Sequence, residues 1–194
     1  MENYSLLASE IKKGGSIPGV QIACFNSKYE PQRNWKNSTA TDYLQFARHE
    51  VNSLSNSQIS DVVKSFQTGI KKLSALGFEV IQLHGAHGYF LHSFLSETFN
   101  IRSDEYGKDR TLIVKEILDG IDSILKDTVI DLRISLFEDN ISPTLNAYQI
   151  NFIESICKIP GLDMISISNG VYNFDKKLIY PNKSYGNNFM LEVM

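Results

Sequence analysis

The chain has 194 residues, of which 42% are hydrophobic and 21% charged, with a formal net charge of −3 and a mean hydropathy of −0.18. That is enough apolar content for one sizeable core without disulfide or metal support. The near-neutral charge excludes a nucleic-acid or anionic-membrane binder that works by electrostatics, and no apolar run is long enough for a transmembrane helix. The N-terminal sequence lacks the apolar core of a secretory signal. Cys24 and Cys157 are too far apart in sequence to suggest a disulfide framework. Together these points lead to a cytoplasmic expectation.

In chain order, Val20–Cys24 reads as a first short strand. A polar, Asn/Ser-rich excursion containing Pro31 follows from Phe25 to Asn56. From Gln58 to Leu76 the apolar residues Ile59, Val62, Val63, Phe66, Ile70 and Leu73 mark one face of a helix. Ser57 or Asn56 is expected to cap it and Gly77 to end it. Phe78–His84 is a second strand, and Thr111–Leu125 a second amphipathic helix. Asp131–Phe137 is a third strand, and Thr144–Lys158 a third helix with Pro143 at its first turn and Pro160-Gly161 beyond its end. Met164–Ser168 is a fourth strand, and Asn173–Met194 an irregular tail.

Strands alternating with helices predict βαβ units and a parallel sheet, each strand being apolar enough to be buried on both faces. A closed barrel of this kind has eight strands. The fold class is therefore α/β, a partial (β/α)8 TIM barrel of about four parallel strands, in one incomplete domain over residues 1–194.

The informative segment runs from Leu83 to Gly107, LHGAHGYFLHSFLSETFNIRSDEYG. It starts at the carboxyl end of the second strand, where parallel α/β folds build their sites. His84, His87 and Tyr89 are spaced by Gly85, Ala86 and Gly88, which leave room for a flat ligand. Two imidazoles can donate to one oxygen, and a nearby phenol can deliver a proton. The set suits polarising a carbonyl and protonating a carbon. Two plainer readings stand beside it: histidines that merely cap a strand end, and a zinc site with His92 as third ligand. Arg102, Asp104 and Tyr106 read as a surface ion pair and loop lock.

This segment resembles the old yellow enzyme family of FMN-dependent ene-reductases, the NADH:flavin oxidoreductases. The family pattern H-x-x-[HN]-G-Y-L-L followed by F-L-x-x-x-x-N-x-R-x-D-x-Y-G is matched by His84, His87, Gly88, Tyr89, Leu91, Phe94, Leu95, Asn100, Arg102, Asp104, Tyr106 and Gly107. The likeness extends from about Gly15 to Gly170. Val20-Gln21-Ile22 looks like the family's third strand, Asp131–Ser135 its fifth, and Asp163–Gly170 its sixth. The resemblance thus implies a barrel lacking its first two and last two strand units, with residues 171–194 outside the likeness.

By the same resemblance, Gln21 and Arg133 would hold the flavin ring, Arg133 near its N1 edge. NADH or NADPH would be the reductant and an α,β-unsaturated carbonyl compound the small-molecule substrate. His84 and His87 would bind the carbonyl oxygen and Tyr89 would protonate the α-carbon, making all three catalytic. No metal is implied. The departures are Cys24 where the family usually has histidine, a short deletion after Gly107, and no counterpart of the glycine-rich strands that hold the FMN phosphate. Weak or absent FMN binding is therefore expected of the chain alone. A catalytically inactive remnant acting as an interaction module is the alternative function. A complementary barrel chain or a second copy of this one is the expected partner.

Overall fold

The computed structural model describes residues 2–24, 51–121, 125, 127–138 and 145–171. Of the expected excursion from Phe25 to Asn56, residues 25–50 lie outside the described residues, as do Pro143 and the tail from 173; its end is not a polar loop, since residues 51–53 are helical and Val51 and Leu54 are buried in the core.

The chain opens with a helix that the sequence reading left unassigned, α1 (Glu2–Lys13). Ala8 is its sole buried residue, while Tyr4, Leu6 and Leu7 stay exposed, although Tyr4, Leu7, Ala8 and Ile11 fall at helical spacing. It rests against the start of the sheet, where Lys12 Nζ lies 2.6 Å from Glu79 Oε1. There follow β1 (Gly19–Ile22), α2 (Asn56–Ala75), β2 (Val80–Gly85), the short α3 (Phe90–Leu95) and α4 (Glu105–Lys108), α5 (Leu112–Asp119), β3 (Val129–Ser135), α6 (Ala147–Cys157) and β4 (Met164–Ser168).

All four strands pair in parallel in the order β1-β2-β3-β4. Sequential parallel strands joined through helices give one sector of a (β/α)8 barrel, as expected.

The helices follow local signals. α2 is capped by Ser55, not by Asn56 or Ser57. The Ser55 hydroxyl accepts from Gln58 N while the Gln58 side chain accepts from Ser55 N, a reciprocal box that satisfies two otherwise orphaned groups. Gly77 follows the helix at φ +97°, the left-handed conformation glycine adopts without strain. Asn146 and Gln149 make the same box at the start of α6. α5 is shorter than expected. It stops at Gly120, and a Cβ there would meet the Gln67 side chain, whose amide donates to Glu116 O at 2.9 Å.

The core lies on one side of the sheet only. Ile81, Leu83, Ile130, Leu132 and Ile134 pack with Ile59, Phe66 and Ile70 of α2 and Ile113, Val114 and Ile117 of α5. Burying each such side chain is worth roughly 1.5–3 kcal/mol. The opposite face differs from the expectation of strands buried on both sides. Because side chains alternate along a strand, that face carries Gln21, Gln82, His84, Asp131, Arg133, Ser135, Ser166 and Ser168. It is a polar surface with Gln21 exposed and Gln82 and Arg133 half-buried. The apolar appearance of the runs comes mainly from the isoleucines and leucines on the helix side.

Candidate active site

The polar face ends in a turn that gathers the expected residues. At the exit of β2, a Cβ on Gly85 would stand 3.0 Å from Arg133 O and 3.1 Å from side-chain carbons of Leu132 and Leu95. Glycine lets the chain turn tightly over β3. His87 then takes φ +60°, a left-handed conformation rare for a residue with a side chain, and Gly88 continues at φ +83°. Three contacts hold His87 there. Its N–H donates to Ser135 Oγ at 2.9 Å, it bridges to Val171, and its Nε2 lies 2.7 Å from Ser168 Oγ.

The outcome is a cluster. The His84 and His87 ring centroids are 5.2 Å apart, and those of His84 and Tyr89 are 4.9 Å apart. Arg133 sits in register with His84 on the neighbouring strand, and its Nη2 donates to Ser168 Oγ at 3.2 Å. His84, His87, Tyr89 and Arg133 are thus brought together. Gln21 is one row lower, its amide donating to Gln82. From there a polar belt crosses the sheet: Gln82 donates to Asp131 Oδ2, which also accepts from Ser166 Oγ at 2.7 Å. Asp131 is buried, and its Oδ1 has no partner among the described residues.

Both imidazoles are held neutral. Burial lowers His84 to about 4, helped by the Arg133 charge and by His92. Burial lowers His87 to about 3, again with Arg133, His84 and His92 acting in the same direction. Neutral imidazoles next to a fixed guanidinium make a site with positive potential and uncharged hydrogen-bonding rings, suited to an electron-rich oxygen or ring edge.

His92 belongs elsewhere. It is a buried residue of α3, with Nε2 3.3 Å from Glu138 Oε1. Burial raises the Glu138 carboxyl, but His92 and the hydroxyls of Ser96 and Thr98 outweigh it and hold the group at about 2. A cavity of about 140 Å³ adjoins this pair, lined by Glu97, Tyr148 and Gln149 among others. The described residues include no group of three or more histidine, cysteine or carboxylate side chains placed to hold a metal ion.

The remainder of the motif locks the loop after α3. Asn100 donates to the carbonyls of Phe94 (2.8 Å) and Tyr106 (2.9 Å). Arg102 pairs with Asp104 and donates to the carbonyls of Val51 (2.7 Å) and Leu54 (2.8 Å). Tyr106 Oη donates to Glu116 at 2.9 Å. The lock is as expected, but it is not at the surface: the Arg102 side chain is 8% exposed. Gly107 is required there, since a Cβ would lie 1.8 Å from Arg102 O.

A sequence profile of the NADH:flavin oxidoreductase / NADH oxidase family matches residues 1–169. The chain belongs to that family. The match reaches back through α1. The NADPH dehydrogenase of Clostridium acetobutylicum is 30% identical over 179 residues, covering 87% of this chain and 51% of that protein. The NADPH dehydrogenase of Bacillus subtilis is 29% identical over 173 residues, covering 88% and 50%. The chain therefore spans about half the length of these relatives. Among solved structures, histamine dehydrogenase from Rhizobium sp. superposes with a TM-score of 0.65 at 23% identity, over 87% of this chain and 26% of that one. The Old Yellow Enzyme from Pichia sp. superposes with a TM-score of 0.60 at 20% identity, over 87% and 51%. At these identities the superpositions speak for the fold.

Two site residues escaped the sequence reading, Ser135 and Ser168. The signal was present: in a strand otherwise made of Met and Ile, Ser166 and Ser168 recur with period two and so share one face with Arg133.

Proposed function

We propose that the chain supplies the substrate-binding sector of an FMN-dependent oxidoreductase of the old yellow enzyme type, acting on α,β-unsaturated carbonyl compounds with NADH or NADPH as reductant. The observation that carries this reading is the convergence of His84, His87, Tyr89 and Arg133 at the carboxyl ends of β2 and β3.

These residues fit a flavin on the polar face. Arg133 is half-buried, and Ser168 is its one hydrogen-bond partner among the described residues. Its remaining guanidinium donors suit the electron-rich pyrimidine edge of the ring, and a lone cation at this position needs such a partner. Gln21, exposed one row below, would face the same ring through its free amide oxygen. FMN would supply hydride transfer when bound. The chain's own groups would do the rest. His84 and His87, being neutral, would hydrogen-bond the substrate carbonyl oxygen and draw charge from its alkene. Tyr89 would hold the proton that goes to the α-carbon.

FMN titrated into the purified chain, followed by quenching of flavin fluorescence, tests the cofactor assignment. Saturable binding weaker than micromolar is expected, and Arg133→Gln should abolish it. Binding indifferent to Arg133→Gln would overturn it. One observation favours a partner as well: β1 and β4 are both sheet edges among the described residues. A second copy of the chain, or a complementary barrel chain, would pair with those edges. Light scattering on the purified protein distinguishes a dimer from a monomer that awaits another chain.

A further inference from the structure

The hydroxyl of Ser168 is clamped between two groups that no sequence motif links: Nη2 of Arg133 at 3.2 Å and Nε2 of His87 at 2.7 Å. We propose that Ser168 is a positioning residue that fixes His87 in the tautomer protonated at Nδ1, so that Nδ1–H, and not Nε2–H, is the donor His87 offers to a ligand oxygen.

The argument is one of donors and acceptors. A guanidinium only donates, so the Ser168 oxygen must accept from Arg133. Ser168 is buried, and these two are its side chain's partners among the described residues. If His87 Nε2 carried a proton, the Ser168 oxygen would accept twice and its own O–H would be left without an acceptor. Leaving a buried donor unmade is the expensive outcome. If His87 Nε2 is bare, the hydroxyl donates to it and all three groups are satisfied. The chain then runs in one direction, from Arg133 to Ser168 to His87. The His87 backbone N–H is committed to Ser135, whose hydroxyl in turn donates to the Gly170 carbonyl at 2.8 Å, so the backbone that carries the ring is fixed in place. The lowered basicity of His87 means that its ring is neutral at neutral pH, so its hydrogen bonds decide which of the two neutral tautomers it adopts.

The consequence is a link between the two halves of the site. Arg133 and His87 share one oxygen atom, so the cation proposed for the flavin edge also sets which ring nitrogen can donate to a substrate. This role rests on the reading of the site given above, but the tautomer itself does not. Long-range proton–nitrogen spectra of the ¹⁵N-histidine-labelled full chain, without cofactor or substrate, read it directly. The expected result is a pyrrole-type shift at Nδ1 of His87 and a pyridine-type shift at Nε2. Ser168→Ala should move both nitrogens toward the opposite assignment, and Ser168→Thr, which keeps the hydroxyl, should restore the original shifts. Unchanged His84 and His92 signals identify variants that are still folded, and Ser168→Thr keeps the test alive should the alanine variant fail to fold. A wild-type spectrum with the proton on Nε2, or one indifferent to Ser168→Ala, overturns the assignment. FMN binding indifferent to Arg133→Gln with the tautomer intact would instead remove the flavin reading alone.

Discussion

Lowering the pH from 7 to 5 should destabilise this protein in a way that two histidines account for. In the folded chain His84 and His87 stay neutral until pH falls to about 4 and about 3, whereas the unfolded chain protonates both near 6.5. Between those limits the unfolded state binds more protons, so stability is fully present above about pH 6.5 and declines as pH drops toward the folded values. Each histidine costs about 1.4 kcal/mol per pH unit in that window. From pH 6.5 to pH 5 the two together reach about 4 kcal/mol at the limit of complete desolvation. Solvent at the open strand ends screens part of this, and about 2 kcal/mol is the expected loss. Urea denaturation followed by circular dichroism at pH 7, 6 and 5 measures it. The double variant His84→Asn, His87→Asn should flatten the profile, and asparagine tolerates the left-handed backbone at position 87. Glu138, held at about 2, adds a separate loss below about pH 4.5, which Glu138→Gln should remove. A wild-type midpoint constant from pH 7 to 5, or a double variant with the wild-type slope, would refute the reasoning.

Two further predictions concern the loop lock. Gly107→Ala places a Cβ 1.8 Å from Arg102 O, and displacing that backbone should cost about 3 kcal/mol. A shift of the urea midpoint no larger than that of an ordinary surface substitution would contradict it. Asn100→Ala leaves the carbonyls of Phe94 and Tyr106 without their donor in a buried setting, for an expected loss of about 3 kcal/mol. Thermal denaturation should show Asn100→Ala well below wild type, with full retention of Tm counting against the lock.

The strands and long helices were legible because their signals are local. A 3.6-residue apolar stripe announced α2, and β-branched runs located the sheet. α1 was missed although Tyr4, Leu7, Ala8 and Ile11 lie at helical spacing, because that stripe is short and buries only Ala8. The polar inner face was hidden in plain composition: Gln82, Asp131, Arg133 and Ser166 each look isolated in sequence, and only the register aligns them. The same holds for the site. His84, His87 and Tyr89 are neighbours in the chain and could be grouped from spacing alone. Their link to Arg133 through Ser168 joins residues from three strands, which spacing cannot reveal. The motif residues Asn100, Arg102 and Gly107 are as specific a signature as the histidines. Their work is to close a loop, by satisfying buried carbonyls and leaving room for a close backbone approach.

The most direct measurement of the central claim is product analysis with 2-cyclohexenone, NADPH and excess FMN, comparing the wild-type chain with the double variant His84→Ala, His87→Ala and with Tyr89→Phe. The proposed function predicts FMN-dependent formation of cyclohexanone by the wild type, loss of it in the histidine variant and a strongly slowed reaction in Tyr89→Phe. No cyclohexanone from the wild type, or equal amounts from the folded histidine variant, would contradict it.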